Sequence, residues 1–100
     1  MTKWADYVIT AVKFKKEKRH IEQVQIWTDN GELANEQTTT RSEVVRLLEN
    51  GSTVVTAYKN NINKWNRGDD INIVEVRGNK FIRTDGNSIE EDNLGNLPEF

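Results

Sequence analysis

Residues 40–51 read Thr-Arg-Ser-Glu-Val-Val-Arg-Leu-Leu-Glu-Asn-Gly and carry the strongest local structural signals in the chain. The Thr-x-x-Glu pattern at the start is typical of a capping box, in which the threonine hydroxyl accepts a hydrogen bond from a helical N–H and the glutamate reaches back. The Asn-Gly pair at the end is a typical helix stop. Four apolar residues between them fall within one arc at helical spacing: Val44, Val45, Leu47 and Leu48. The stretch therefore predicts one short helix that begins after Thr40.

Runs of β-branched and aromatic residues lie on both sides of this helix and are typical of strands. Two of them, residues 7–14 and 21–28, precede the helix with a short charged segment between them, so they are predicted to form an antiparallel hairpin. Three more follow the helix, at residues 53–59, 71–77 and 80–84. The sequence thus predicts an α+β fold, in which an antiparallel sheet of about five strands carries one short helix in the order β-β-α-β-β-β.

Two segments lack a clear strand pattern. The polar stretch from Asp29 to Thr39 is predicted to be a loop, because it opens with the turn-forming residues Asp-Asn-Gly. Residues 60–70 leave two interpretations open, a long loop or a loop that carries one extra short strand.

The dipeptide Gly78-Asn79 predicts a two-residue turn between the last two strands. Counting outward from this turn pairs Val74 with Arg83 and places Phe81 on the same face of the hairpin as Val74. We expect that face to meet the core, with Arg83 at its margin and Ile82 on the opposite side.

The last sixteen residues, 85–100, contain five acidic residues and no Lys or Arg. Apolar residues are spaced along them at Ile89, Leu94, Leu97 and Phe100, too many for a purely solvating tail. We therefore predict one domain over residues 1–100, with residues 85–100 docked on the sheet as an irregular acidic tail.

The chain has 14 Lys and Arg against 16 Asp and Glu in 100 residues, which gives a formal net charge of -2. It contains no cysteine, so disulfides and thiolate metal sites are excluded and an oxidising compartment gains no support. The sequence shows no secretion signal and no apolar run long enough to span a membrane. We therefore expect a cytoplasmic protein without membrane contact.

Catalytic and metal-binding patterns are missing. His20 is the one histidine, and we expect an exposed residue of a charged loop rather than a member of a catalytic triad. A calcium loop that starts at Asp85 fails, because its twelfth position is Asn96 instead of the required Glu. The acidic run Glu90-Glu91-Asp92 is more typical of a solvated surface than of a cation site. We expect no enzyme activity, no cofactor and no metal.

The C-terminal part of the chain resembles a known family. The stretch Lys80-Phe-Ile-Arg-Thr-Asp-Gly-Asn, continued by Asp92-Asn-Leu-Gly-Asn-Leu-Pro-Glu-Phe100, is similar to the signature of an uncharacterised family of small bacterial and phage proteins, the domain of unknown function DUF3892. The resemblance implies one intact domain and carries no activity with it. It concentrates the family pattern on five positions: Arg83, Thr84, Asp85, Asp92 and Asn93.

Clustered positive charge makes nucleic-acid contact an alternative function. The first segment is basic at five positions: Lys13, Lys15, Lys16, Lys18 and Arg19. A second segment holds Trp65 close to Arg67, and an exposed indole is able to stack on an unpaired base. The acidic overall charge argues against this alternative, because nucleic-acid binders are usually basic.

Protein binding requires fewer specific residues than catalysis or nucleic-acid contact, and it is the preferred expectation. Trp27 alternates with Val24 and Ile26, so it faces away from the core if they face it, either as an exposed anchor or beneath the tail. Five residues are expected to contact the partner: Trp27, Arg83, Asp85, Asp92 and Asn93. We thus expect a non-catalytic binding module for a protein, and a small-ligand or nucleotide site near Arg83 is the third alternative.

Overall fold

The computed structural model of the chain describes residues 4–15, 20–62, 64–84, 92, 94 and 97–100. These residues form one helix and seven strands: β1 (Tyr7–Phe14), β2 (Ile21–Asp29), β3 (Leu33–Thr40), α1 (Arg41–Glu49), β4 (Val54–Lys59), β5 (Trp65–Asp70), β6 (Asn72–Val76) and β7 (Asn79–Arg83). The predicted α+β class with a single short helix is confirmed, and two strands are added to the predicted order.

The strands form two sheets. A five-stranded sheet has the order β3-β2-β1-β4-β5, and β6 pairs with β7 in a separate two-stranded sheet. β1 runs parallel to β4 and antiparallel to β2, so the main sheet is mixed and the prediction of a purely antiparallel sheet is wrong. The reason is that α1 carries the chain from the edge strand β3 to the far side of β1, where β4 pairs in the same direction as β1.

β3 lies in the stretch that the sequence predicted to be a loop, and this prediction is wrong. Its antiparallel pairing with β2 extends from Gln23 opposite Thr40 to Asp29 opposite Leu33. β3 is an edge strand with most of its side chains exposed, so its polar sequence lacks the apolar alternation by which strands are recognised. Its three consecutive threonines are nonetheless favourable in extended backbone.

β5 settles the open interpretation of residues 60–70, because it adds a second edge strand that pairs with β4. Gly68 is required there, since a Cβ atom at this position would clash with the Thr56 hydroxyl of the neighbouring strand. That hydroxyl accepts a hydrogen bond from the backbone N–H of Asp69 at 3.0 Å.

The ends of α1 lie where the sequence predicts them, although of the predicted capping box only the threonine half is present and the Glu43 carboxylate binds Arg46 instead. Thr40 has extended backbone angles and its hydroxyl accepts a hydrogen bond from the Glu43 N–H at 3.3 Å, while Gly51 takes a φ of 89° beyond the last turn. The Glu43 carboxylate receives the Arg46 guanidinium, with Nε and Oε2 3.0 Å apart. This hydrogen bond lowers the pKa of the Glu43 carboxyl and raises the pKa of Arg46.

The β6–β7 turn is formed by Arg77 and Gly78 instead of the predicted Gly78-Asn79. Both residues have positive φ, 52° and 79°, as a type I′ hairpin turn requires. Val74 therefore pairs with Phe81, and the two share a face as predicted. The predicted core side is wrong, however, because Ile82 on the other face is fully buried in the main core.

Both faces of the five-stranded sheet carry apolar clusters. The larger one lies between the sheet, α1 and β7 and includes Ile9, Val24, Val44 and Ile82. A smaller one on the opposite face contains four buried residues: Ala5, Val8, Val55 and Ala57. The side chains of Trp4, Leu33 and Trp65 pack on this smaller cluster.

The described residues of the predicted tail contact the rest of the domain. Leu94 belongs to the larger core cluster and Leu97 packs against it. The Val12 N–H donates to the Pro98 carbonyl at 2.9 Å, and the Phe100 N–H donates to the Val12 carbonyl at 3.0 Å. Residues 85–91, 93, 95 and 96 of the tail lie outside the described residues.

We predict that Thr40→Ala lowers the free energy of unfolding by about 1 kcal/mol, because the helix loses the hydroxyl that caps its first turn. Urea denaturation measures this loss. Thr40→Ser keeps a hydroxyl and is the control, which should retain most of the stability. An unchanged midpoint for Thr40→Ala would contradict the capping role.

Candidate functional site

The carboxylate of Asp92 is buried and joins three elements of the fold. It accepts hydrogen bonds from the backbone N–H groups of Ile21 and Ile82, each at 2.9 Å. Arg41, the first residue of α1, donates to the same carboxylate from Nε at 2.6 Å. Asp92 therefore connects the start of β2, the middle of β7 and the N-terminus of α1, and its contacts are internal ones.

His20 packs beside this carboxylate. Its Nδ1 lies 3.8 Å from Asp92 Oδ2, and its ring stacks on Phe81 with 5.4 Å between ring centroids. His20 is thus partly buried against the middle of β7, and the expectation of a plain exposed loop residue does not describe it.

A cavity of about 550 Å³ opens next to His20. Its lining also includes Arg41, Ser42 and Lys80. Arg41 is bound to Asp92 and to the Lys80 carbonyl, and the Lys80 ammonium is bound to Glu49, which raises the pKa of Lys80. Arg41 and Lys80, which border this cavity, are therefore already paired within the protein. We do not assign them a role in phosphate binding.

The opposite face of the sheet is organised around two tryptophans. Trp27 on β2 and Trp65 on β5 meet edge to face with 6.0 Å between ring centroids, although β1 and β4 separate their strands. Neighbouring strands are about 4.8 Å apart, so the two rings reach across roughly 14 Å of sheet. The residues that they contact on the intervening strands are small, because Trp27 is bonded to Thr10 and Trp65 packs on the cluster that contains Ala57.

A β-bulge places Thr10 in this position. The pairing of β1 with β2 shifts between Ile9 and Ala11, which leaves Thr10 as the extra residue. The Trp27 indole N–H donates to the Thr10 hydroxyl at 3.0 Å. The bulge thus supplies the polar partner that a partly buried indole needs.

One edge of β1 changes partner along its length. β4 pairs with Tyr7 to Ile9, and the C-terminal segment pairs with β1 further along, through Val12 opposite Glu99. β2 occupies the other edge throughout. β4 and the C-terminal segment therefore diverge from each other beyond Ile9, and a fork opens between them.

Two adjoining cavities of about 500 and 330 Å³ occupy this fork. We call them together the aromatic groove, and its lining comprises Thr10, Ala11, Gln25, Trp27, Glu36, Tyr58, Lys59, Trp65, Pro98, Glu99 and Phe100. Tyr58 and Phe100 are 51% and 45% exposed, which makes them accessible to another molecule. Lys59 lies over Trp65, with Nζ 5.0 Å from the ring centroid.

The structure brings together only some of the residues singled out by sequence. Trp27 is half-buried in the aromatic groove, and it faces away from the core cluster of Val24 and Ile26 as predicted. Arg83 is 2% exposed and Asp92 4% exposed, so both lie inside the domain. Asp85 and Asn93 lie outside the described residues.

The candidates for nucleic-acid contact are dispersed. Trp65 is half-buried in the aromatic groove, and Arg67 is bound to Asp70 at 2.6 Å. Lys13 and Lys15 are exposed on and just beyond β1. The other three candidates, Lys16, Lys18 and Arg19, lie outside the described residues.

Sequence reasoning missed several residues of the aromatic groove: Thr10, Tyr58, Lys59, Pro98 and Phe100. An available signal was the end of the β-rich run at residues 53–59, where an aromatic residue and a cation, Tyr58 and Lys59, stand next to each other. The part of the chain that the structure describes contains no helix long and apolar enough to cross a bilayer. The same residues hold no group of three or more side chains from His, Cys, Asp and Glu that could hold a metal ion.

The fold and the groove define a small α+β domain with a mixed sheet, one crossover helix and an aromatic surface opposite the helix. A family model described as "Protein of unknown function (DUF3892)" matches residues 8–98, and the chain belongs to this family. The resemblance seen in the C-terminal stretch is therefore confirmed. Comparison with curated proteins and with solved structures gave no match.

We predict that Asp92→Ala destabilises the domain by about 3–5 kcal/mol, because it leaves two buried N–H groups without an acceptor and removes the carboxylate that pairs with the Arg41 guanidinium. Asp70→Ala is the matched control. It removes the acid of an exposed ion pair with Arg67, and we expect a loss of at most about 1 kcal/mol. Urea denaturation of both variants measures the difference, and equal small losses would contradict the linking role of Asp92.

Proposed function

We propose that the protein is a non-catalytic binding module that contacts a protein partner through the aromatic groove. The observation that carries the proposal is the convergence of four aromatic residues in one groove: Trp27, Tyr58, Trp65 and Phe100. Binding energy at protein interfaces is concentrated in a few residues, among which Trp and Tyr are enriched.

The rigidity of the groove supports this role. Trp27 is fixed by its hydrogen bond to Thr10 and by its contact with Trp65, so binding orders few side chains that were free before. Tyr58 and Phe100 at the rim remain exposed and available to a partner. A preformed groove that presents exposed Tyr58 and Phe100 fits recognition of a protein, because aromatic residues are enriched at protein interfaces.

The proposal of a non-catalytic role rests on the contacts of two titratable side chains, Asp92 and His20. Asp92 is occupied by the two backbone N–H groups and by Arg41, and His20 is stacked on Phe81. These are packing roles. The proposal further assigns the contact to the cytoplasm of a bacterium or of a phage-infected cell, which rests on the family resemblance and the cysteine-free sequence.

A second candidate, nucleic-acid contact, is favoured by one observation. Trp65 lies beside Lys59, which combines a stacking surface with positive charge, and exposed Lys13 and Lys15 add charge on β1 and just beyond it. One finding weighs against it, because Arg67, which would add positive charge near Trp65, is paired with Asp70.

We predict that the double variant Tyr58→Ala with Phe100→Ala loses the partner that the unmodified chain retains. Both proteins are immobilised and exposed to a lysate of cells that carry the gene, and retained proteins are identified by mass spectrometry. Purified partner should then bind the double variant about tenfold or more weakly, since each truncation removes an accessible aromatic contact.

Ile62→Ala is the control for this experiment. Ile62 is 69% exposed and is not part of the groove lining, so its truncation removes apolar surface elsewhere and should leave retention unchanged. Equal retention by the double variant and the unmodified chain would overturn the proposed surface.

The second candidate makes a separate prediction. If the chain binds single-stranded DNA, replacing Lys13 and Lys15 together by Met should weaken binding to every sequence and flatten its dependence on salt. Fluorescence anisotropy with a labelled oligothymidine between about 50 and 200 mM salt measures both effects. No binding by the unmodified chain at low salt would remove the candidate.

A further inference from the structure

The aromatic groove contains more negative than positive charge. Among the described residues that line it, Glu36 and Glu99 carry carboxylates and Lys59 carries the one ammonium. The chain as a whole has a formal net charge of -2. A groove that combines aromatic rings with carboxylates is complementary to a cation, and in particular to a planar one that stacks on rings.

Lys59 shows how a cation is held in this groove. Its Nζ lies 5.0 Å from the centroid of the Trp65 ring, within the distance at which an ammonium is attracted to the negative face of an indole. The Trp65 ring is therefore oriented to receive positive charge. Lys59 occupies that position from within the protein, as a tethered competitor for an incoming cation.

From this juxtaposition we infer that the groove recognises an arginine side chain on a segment of the partner protein. The inference rests on the proposed function and names the chemistry of its partner. The guanidinium stacks on the Trp65 ring in place of Lys59, and its N–H groups donate to the carboxylates of Glu36 and Glu99.

Neutral acceptors in the groove fit the same ligand. The Thr10 hydroxyl and the Gln25 side chain both line it, and each has an oxygen that is able to accept an N–H. A guanidinium presents five N–H donors and no acceptor, so it uses such oxygens fully. A phosphate presents acceptors alone and would be repelled by the carboxylates at the same place, which disfavours nucleic acid as the occupant.

The direction in which a Lys59 substitution changes the binding affinity distinguishes an arginine segment from nucleic acid. Lys59→Met removes the internal competitor, so it should tighten the binding of an arginine segment by about two- to fivefold, the range expected for one exposed cation–π contact. The same substitution should weaken the binding of nucleic acid, which needs the positive charge. Lys64→Met is the matched control, because it makes the same change of charge at an exposed lysine outside the groove lining.

The probe is a fluorescein-labelled, blocked peptide of alternating glycine and arginine, measured by anisotropy against the full chain. The matched peptide carries citrulline, which has the shape of arginine without its charge, and it should bind much more weakly. Glu36→Gln with Glu99→Gln should weaken binding of the arginine peptide severalfold. Glu75→Gln, on an exposed acidic residue of β6, should not.

Four outcomes decide the inference. Tighter binding by Lys59→Met, with Lys64→Met unchanged, supports it, and weaker binding by Lys59→Met overturns it. Equal binding of the arginine and citrulline peptides also overturns it, because the charge is then not recognised. If the arginine peptide does not bind while the Tyr58 and Phe100 double variant still loses its captured partner, the inference fails and the proposed function stands.

Discussion

The packing of β2, β7 and α1 against one another depends on the buried carboxylate of Asp92. Moving a charge out of water costs several kcal/mol, and the cost is offset only when each oxygen gains good donors. Asp92 meets this condition through two backbone N–H groups and the Arg41 guanidinium. Those donors belong to β2, β7 and α1, so the carboxylate is satisfied only when all three elements are in place.

This dependence explains how the small second sheet is held. A two-stranded hairpin is marginally stable in water, and β6–β7 is not hydrogen-bonded to the main sheet as a further strand. It is held by the burial of Ile82 in the larger core and by the bond from the Ile82 N–H to Asp92. No backbone ladder joins β6–β7 to the main sheet among the described residues. The Asp92 carboxylate therefore holds this hairpin in place through the Ile82 N–H.

The elements that sequence predicted are those whose causes are local. α1 was predictable because its cap, apolar arc and glycine stop all lie within twelve residues of sequence, 40–51. β3 was not, because an edge strand with one solvated face is defined by its pairing to β2. The core face of β6–β7 was not predictable either, since Phe81 and Ile82 are both apolar and lie on opposite faces.

The groove was partly predictable for the same reason. Alternation along β2 placed Trp27 away from the core, and this was correct. The contact between Trp27 and Trp65 depends on the order of the strands in the sheet, which spacing does not show. Pro98 and Phe100 line the groove only because the C-terminal segment pairs beside Val12. The family resemblance drew attention to Asp92, but its contacts across 71 residues to Ile21 could not be inferred from spacing.

The bulge in β1 affects both faces of the main sheet, the face of the larger core and the face of the aromatic groove. Because Thr10 is the extra residue, Ile9 and Val12 both lie in the larger core while Thr10 and Ala11 both line the groove. Without the bulge, strict alternation would place Ile9 and Val12 on opposite faces. The same irregularity lies where β1 exchanges β4 for the C-terminal segment, so the groove is opened by the feature that keeps the core continuous.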